Sequence, residues 1–203
     1  MSGQFLVIEG IDGAGKSTHL DFICQTIQKT RGVEVVKTRE PGGSDLAEKI
    51  RDLVLHQKMD AHTQVLLAMA ARRDHIQNCI RPALSRGDWV VSDRFSDSTS
   101  AYQGGGGGVA QAWIDQIAQE VTQGLRPNRT YIFDVPAEVA AARRAGRGGK
   151  ADEFEAQGEG YFERVRQIYL KKAQVNSEVY RVIDGTQTLE IIQNILYKDI
   201  LSL

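Results

Sequence analysis

The stretch GIDGAGKS, Gly10 to Ser17, sets glycines, a lysine and a hydroxyl at the spacing of a phosphate cradle. Glycines let backbone N–H groups converge on phosphate oxygens, and a helix beginning there adds the positive end of its dipole. Lys16 supplies a mobile charge for β- and γ-phosphates, and the Ser17 hydroxyl is a ligand for Mg²⁺. The expected ligand is a nucleoside triphosphate, held by Gly10, Ile11, Asp12, Gly13, Ala14, Gly15, Lys16, Ser17 and Thr18. Asp12 brings negative charge into a loop meant for phosphates. That points to a role toward metal-bound water or a phosphoryl acceptor, with a local Asx turn as the alternative.

Such a loop works only between a buried strand and a helix, and the flanking residues predict both. FLVIEG (5–10) is an apolar run ending at glycine, and residues 17–30 place Leu20, Ile23, Cys24 and Ile27 on one helical face. The alternation continues through strands VEVVKT (33–38), DWVVSD (88–93), TYIFDV (130–135) and VYRVID (179–184). Helices are expected over 45–56, 61–84 (one long helix), 110–121, from Ala137, over 161–175 and from Leu189. Five strands alternating with helices predict a three-layer α/β fold with a five-stranded parallel sheet. Ligands of such sheets gather at the carboxyl ends of the strands. Residues 1–203 read as one domain, with a flexible, glycine-rich segment at about 143–160.

Lysine and arginine number 25 against 26 aspartate and glutamate, a net charge of -1. No broad field recruits a nucleic-acid polymer or an anionic membrane, so any polyanion is met by locally placed charges. Cys24 and Cys79 lie in amphipathic patterns without metal-ligand spacing and read as buried thiols of a reducing compartment. The chain passes from Met-Ser-Gly-Gln directly into a strand, without a signal-like or membrane-length apolar stretch, so a soluble, cytoplasmic protein is expected.

Four further stretches complete a pattern: TREPGG (38–43), AARRDHIQNCIRPAL (70–84), SDRFSDSTSAYQG (92–104) and FDVPAEVAAARRAGRG (133–148). With EGIDGAGKS they closely resemble bacterial thymidylate kinase, over about residues 5–184. The resemblance implies a P-loop nucleoside monophosphate kinase fold, transfer of the γ-phosphoryl group of ATP to dTMP, and a homodimer. Transfer between two anions needs charge neutralisation and alignment. Arg94, after the third strand, suits the acceptor phosphate, and Asp93 suits metal-bound water or Ser17; a structural Asp93–Arg94 ion pair is the alternative. By resemblance Arg72 meets the pyrimidine edge, Arg39 and Arg51 face the monophosphate region, Glu40 belongs to the dTMP site, and Thr99 and Gln103 contact the base. Tyr102 resembles the residue that crowds the sugar 2′ position. Arg39 bracing its own loop and Arg51 as a solvated helix charge stay open. Segment 143–160 resembles a lid that carries donor-side Arg143 and Arg147, the latter stabilising transferring charge.

Three positions depart from the pattern. Ala68 stands where the family carries a phenylalanine that stacks on thymine, with Met69 or Phe95 as candidate replacements. Glu153 replaces a lid arginine. Gly107, within the run Gly104 to Gly108, replaces another arginine, and the run reads as a mobile rim of the acceptor pocket. The alternatives to a dTMP kinase are a kinase of another deoxypyrimidine monophosphate and a nucleotide-binding regulator without transfer.

Overall fold

A computed structural model describes residues 3–146, 154 and 157–203. Strands β1 (Phe5–Glu9), β2 (Val35–Arg39), β3 (Trp89–Asp93), β4 (Arg129–Asp134) and β5 (Tyr180–Asp184) form one parallel sheet in the order β2-β3-β1-β4-β5. The three central strands are buried almost end to end, which is why they read as apolar runs, whereas β2 and β5 are half-exposed.

Alternate residues of β1 feed opposite faces, as a two-residue repeat requires. Leu6 and Ile8 join a core with α1 (Lys16–Arg31), α8 (Glu159–Val175) and α9 (Leu189–Ser202). Phe5 and Val7 join Ile76, Ile80 and Phe95 on the other side. Helices α2 (Asp45–His56), α3 (Ala61–His75) and α6 (Gln111–Thr122) pack beside this second core, and α7 (Ala137–Ala145) follows β4. The chain order reverses at β1, so the loop after it opens at the switch point of the sheet. Among the described residues no helix is long and apolar enough to cross a membrane.

Two expectations change. The helix expected over 61–84 is α3, a π-helical turn at Ile76–Ile80 and α4 (Arg81–Ser85). Pro82 has no N–H to give and crowds the preceding turn, and the wider turn, in which Arg81 N–H reaches Ile76 O, accommodates it. The first three glycines of the run, read as part of a mobile rim, are helical. Helix α5 (Ser96–Thr99) continues as a π-helical segment through Ser100–Gly106, pressed against α8. A Cβ at Gly105 would lie 2.4 Å from Ile168 Cγ1, and one at Gly106 would lie 2.4 Å from Tyr161 Cε2. At Gly107 a Cβ would meet Gln103 O at 2.8 Å, so this backbone has no room for a side chain there.

Candidate active site

The phosphate loop leaves β1 wedged between β4 and α7. A Cβ on Gly10 would sit 2.4 Å from Phe133 O, and one on Gly13 would sit 2.4 Å from Ala140 O; both residues hold positive φ. Lys16 opens α1 and folds back, donating to Gly10 O (3.0 Å) and Ile11 O (3.2 Å). Burial and the neighbouring Arg94 guanidinium pull its pKa down. A polar cavity of about 270 Å³ lies over the loop, walled by Gly13, Lys16, Ser17, Asp93 and the three arginines Arg39, Arg51 and Arg94. A second opening, past Gly15 and Thr18, is bordered by Arg143 and the apolar Leu189 and Ile192. There Arg143 donates to Gly185 O at 3.0 Å.

Asp93 carries the metal question. Its Oδ1 is buried and accepts no hydrogen bond, while its residue shares the cavity wall with Ser17. A carboxylate oxygen without a donor, beside a hydroxyl and a phosphate cradle, fits a hard divalent cation.

Arg94 is the most constrained side chain of the site. It adopts φ 76°, a conformation costing of order 1–3 kcal/mol for a non-glycine residue. Surrounding contacts hold it there: Nη1 donates to Gly10 O (3.1 Å), Ser98 Oγ (3.1 Å) and Tyr169 OH (3.2 Å). Nη2 donates to Asp12 Oδ1 (2.5 Å) and Tyr102 OH (2.9 Å). The alternative reading, a structural Asp93–Arg94 ion pair, is not what forms, because the guanidinium turns to Asp12 instead. Burial alone would raise the Asp12 pKa, but Arg94 and Lys16 hold the carboxyl far below its usual range. Tyr102 OH donates to Asp12 Oδ2 at 2.7 Å, so the Asp12 side chain serves this cluster and not an Asx turn.

Beneath Arg94 lies Glu9, which the sequence reading did not assign. It is wholly buried and accepts from Phe95 N, Ser98 N, Ser98 Oγ and Tyr169 OH, at 2.7–3.2 Å. Burial pushes its pKa up to about 7 against the pull of Arg94, 3.9 Å away. The available signal was a glutamate inside a strand otherwise written in apolar residues. Tyr169 carried no comparable signal, sitting 160 residues away on α8.

A smaller cavity, about 110 Å³, adjoins the first and shares Asp12, Glu40, Arg51 and Arg94 with it. Its remaining wall includes Pro41, Val54, Leu55, Ala68, Ser98, Thr99, Tyr102, Gln103 and Phe154. Arg51 stands between the cavities and donates to Pro41 O (2.9 Å). Arg39 reaches the phosphate side while also gripping Glu48 Oε2 at 2.8 Å, so it braces its own loop. Gln103 is steadied by Gln64 (3.2 Å).

Arg72 is 2% exposed and sits behind the residues that line the cavity. It donates to Glu40 Oε2 (2.7 Å), Phe95 O (3.0 Å) and Thr99 Oγ1 (3.0 Å), and so supports the wall from behind. His75 completes this support through Glu40 Oε1 (3.0 Å) and Thr38 Oγ1 (2.7 Å). Met69 and Phe95 are buried away from the cavity, and the rings that line it together with Ala68 are those of Tyr102 and Phe154. Arg144, also unforeseen, donates to Asp12 O and lies 3.9 Å over the Phe162 ring. Cys24 is buried as expected, but Cys79 is only half-buried. Arg147, Glu153 and half of the segment expected as a lid lie outside the described residues.

The family model described as Thymidylate kinase matches residues 8–195. A thymidylate kinase of Cupriavidus pinatubonensis is 48% identical over the full length of both chains, and one of Ralstonia nicotianae is 47% identical, also over both full lengths. The crystal structure of thymidylate kinase from Ehrlichia chaffeensis superposes with a TM-score of 0.79 at 30% identity, covering 100% of this chain and 98% of that one.

Proposed function

The chain belongs to the thymidylate kinase family, and from that premise we propose how its residues carry the ATP-dependent phosphorylation of dTMP. The donor lies along Gly10 to Thr18 with Arg143 at its flank, and dTMP occupies the smaller cavity. The phosphate oxygen of dTMP attacks the γ-phosphorus, the bond to the bridging oxygen of ADP breaks, and dTDP leaves. Little covalent chemistry falls to side chains in such a transfer. Lys16 neutralises the moving group, and Arg94, Arg51 and Arg39 hold the acceptor phosphate in line with it. Asp12 fixes Arg94 and faces the acceptor. Thr99, Gln103 and Glu40 meet the nucleoside, Tyr102 stands at the sugar, and Arg72 holds Glu40 and Thr99 in place. Mg²⁺, held by Ser17 and Asp93, supplies charge neutralisation at the phosphates when bound. Arg147 on a lid at about 143–160, a single domain, a homodimer and a cytoplasmic location complete the reading.

The observation that carries it is Arg94, which lines both cavities at their junction. A coupled ADP-release assay with Mg-ATP and dTMP, dUMP, dCMP or a modified pyrimidine nucleotide tests it. Turnover with dTMP is expected. If ATP raises the melting temperature while none of the four is phosphorylated, the chain is a nucleotide-binding regulator and this reading fails.

A further inference from the structure

The acceptor cavity contains a ring to which the mechanism above assigns no task. A pyrimidine needs polar groups in its plane, which Thr99 and Gln103 offer, and a flat surface to stack on. The α2–α3 side of the cavity has no such surface, because Ala68 contributes a methyl group and its neighbours Val54 and Leu55 are aliphatic. Among the described residues of the wall, Tyr102 and Phe154 carry aromatic rings. Tyr102 is committed elsewhere: its hydroxyl is held by Asp12 and Arg94, and the Arg94 guanidinium lies 4.8 Å from its ring centroid. Phe154 is held differently. Its ring stands at 90° to that of Tyr102, with centroids 5.7 Å apart, and packs on the apolar cluster that α2 and α3 build.

We propose that Phe154 is the stacking platform for the acceptor's pyrimidine base. Phe154, and not a ring on α3, then supplies the aromatic contact that sets base affinity. This inference rests on reading the smaller cavity as the dTMP site. Ala68 is its complement, since a ring at position 68 would line the same cavity.

The test measures KM for dTMP and for ATP, with kcat, in unchanged protein and in Phe154→Ala, Phe154→Leu and the double variant Phe154→Ala/Ala68→Phe. Loss of a stacked base is expected to raise KM for dTMP by about 5- to 150-fold. KM for ATP and kcat at saturating dTMP stay nearly unchanged, and the double variant regains affinity. Phe154→Leu keeps apolar packing without the ring and gives the same answer if the alanine variant does not fold. In Phe154→Trp, dTMP quenches emission beyond any change that Trp89 and Trp113 show in the unchanged protein. Equal dTMP KM in Phe154→Leu and unchanged protein, a parallel rise in ATP KM, or no added quench overturns the assignment. If unchanged protein turns over no dTMP, it is the parent reading that fails.

Discussion

Replacing Glu9 by glutamine removes a buried negative charge while keeping the shape of the side chain. Four donors converge on this carboxylate, so an amide oxygen still accepts from Phe95 N and Ser98 N, and its NH₂ meets the reversible hydroxyls of Ser98 and Tyr169. The charge is the difference. Burial and the nearby Asp97 raise the Glu9 pKa from 4.5 to about 7, with Arg94 pulling the other way. The folded protein therefore holds a proton that the unfolded chain has released, and stability falls as pH rises across this window. The contribution is complete below pH 4.5 and lost once the pH passes about 7. At 1.36 kcal/mol per pKa unit, ionising this group in place costs about 3 kcal/mol. Glu9→Gln has no proton to lose, so its stability relative to the unchanged protein should improve by about 3 kcal/mol between pH 5 and 8. Urea unfolding followed by circular dichroism across this range measures it, and subtracting the two curves cancels the titrations that are independent of position 9. A pH-independent difference, or one that shifts toward the unchanged protein, refutes the reasoning.

Gly105→Ala forces a Cβ to within 2.4 Å of Ile168 Cγ1 and should cost about 1–3 kcal/mol of unfolding free energy. Unchanged stability in denaturant would show the glycine segment to be loosely seated on α8. Asp93→Asn removes the charge of the unpartnered Oδ1. The Mg²⁺ concentration for half-maximal turnover should rise about 10- to 100-fold while KM for dTMP holds, and chelating the metal should abolish turnover of the unchanged enzyme. An unaltered Mg²⁺ requirement in the variant removes Asp93 from the metal site.

Much of the chemistry was local, and therefore legible. GIDGAGKS after an apolar run states its own strand, turn and helix, because glycine conformation, strand burial and the helix start are decided within a dozen residues. Arg94 was found from its place after β3, and the parallel fold from the alternation of elements. What stayed illegible involved partners distant in sequence. Arg72 pairs with Glu40, 32 residues earlier, a contact that its sequence neighbours do not announce. Gly105 and Gly106 looked mobile until α8 was set against them.

The sequence by itself determined that this chain builds a phosphate cradle in a parallel α/β sheet, since steric and hydrophobic preferences of neighbouring residues suffice for that. Only tertiary structure decided which charges face one another. Sheet order β2-β3-β1-β4-β5 brings the ends of β1 and β3 together, so Arg94 meets Asp12 and Glu9, while α8 returns Tyr169 to close the group. A charge's partner, and so its pKa and its task, depends on distances that arise when helices pack on a finished sheet.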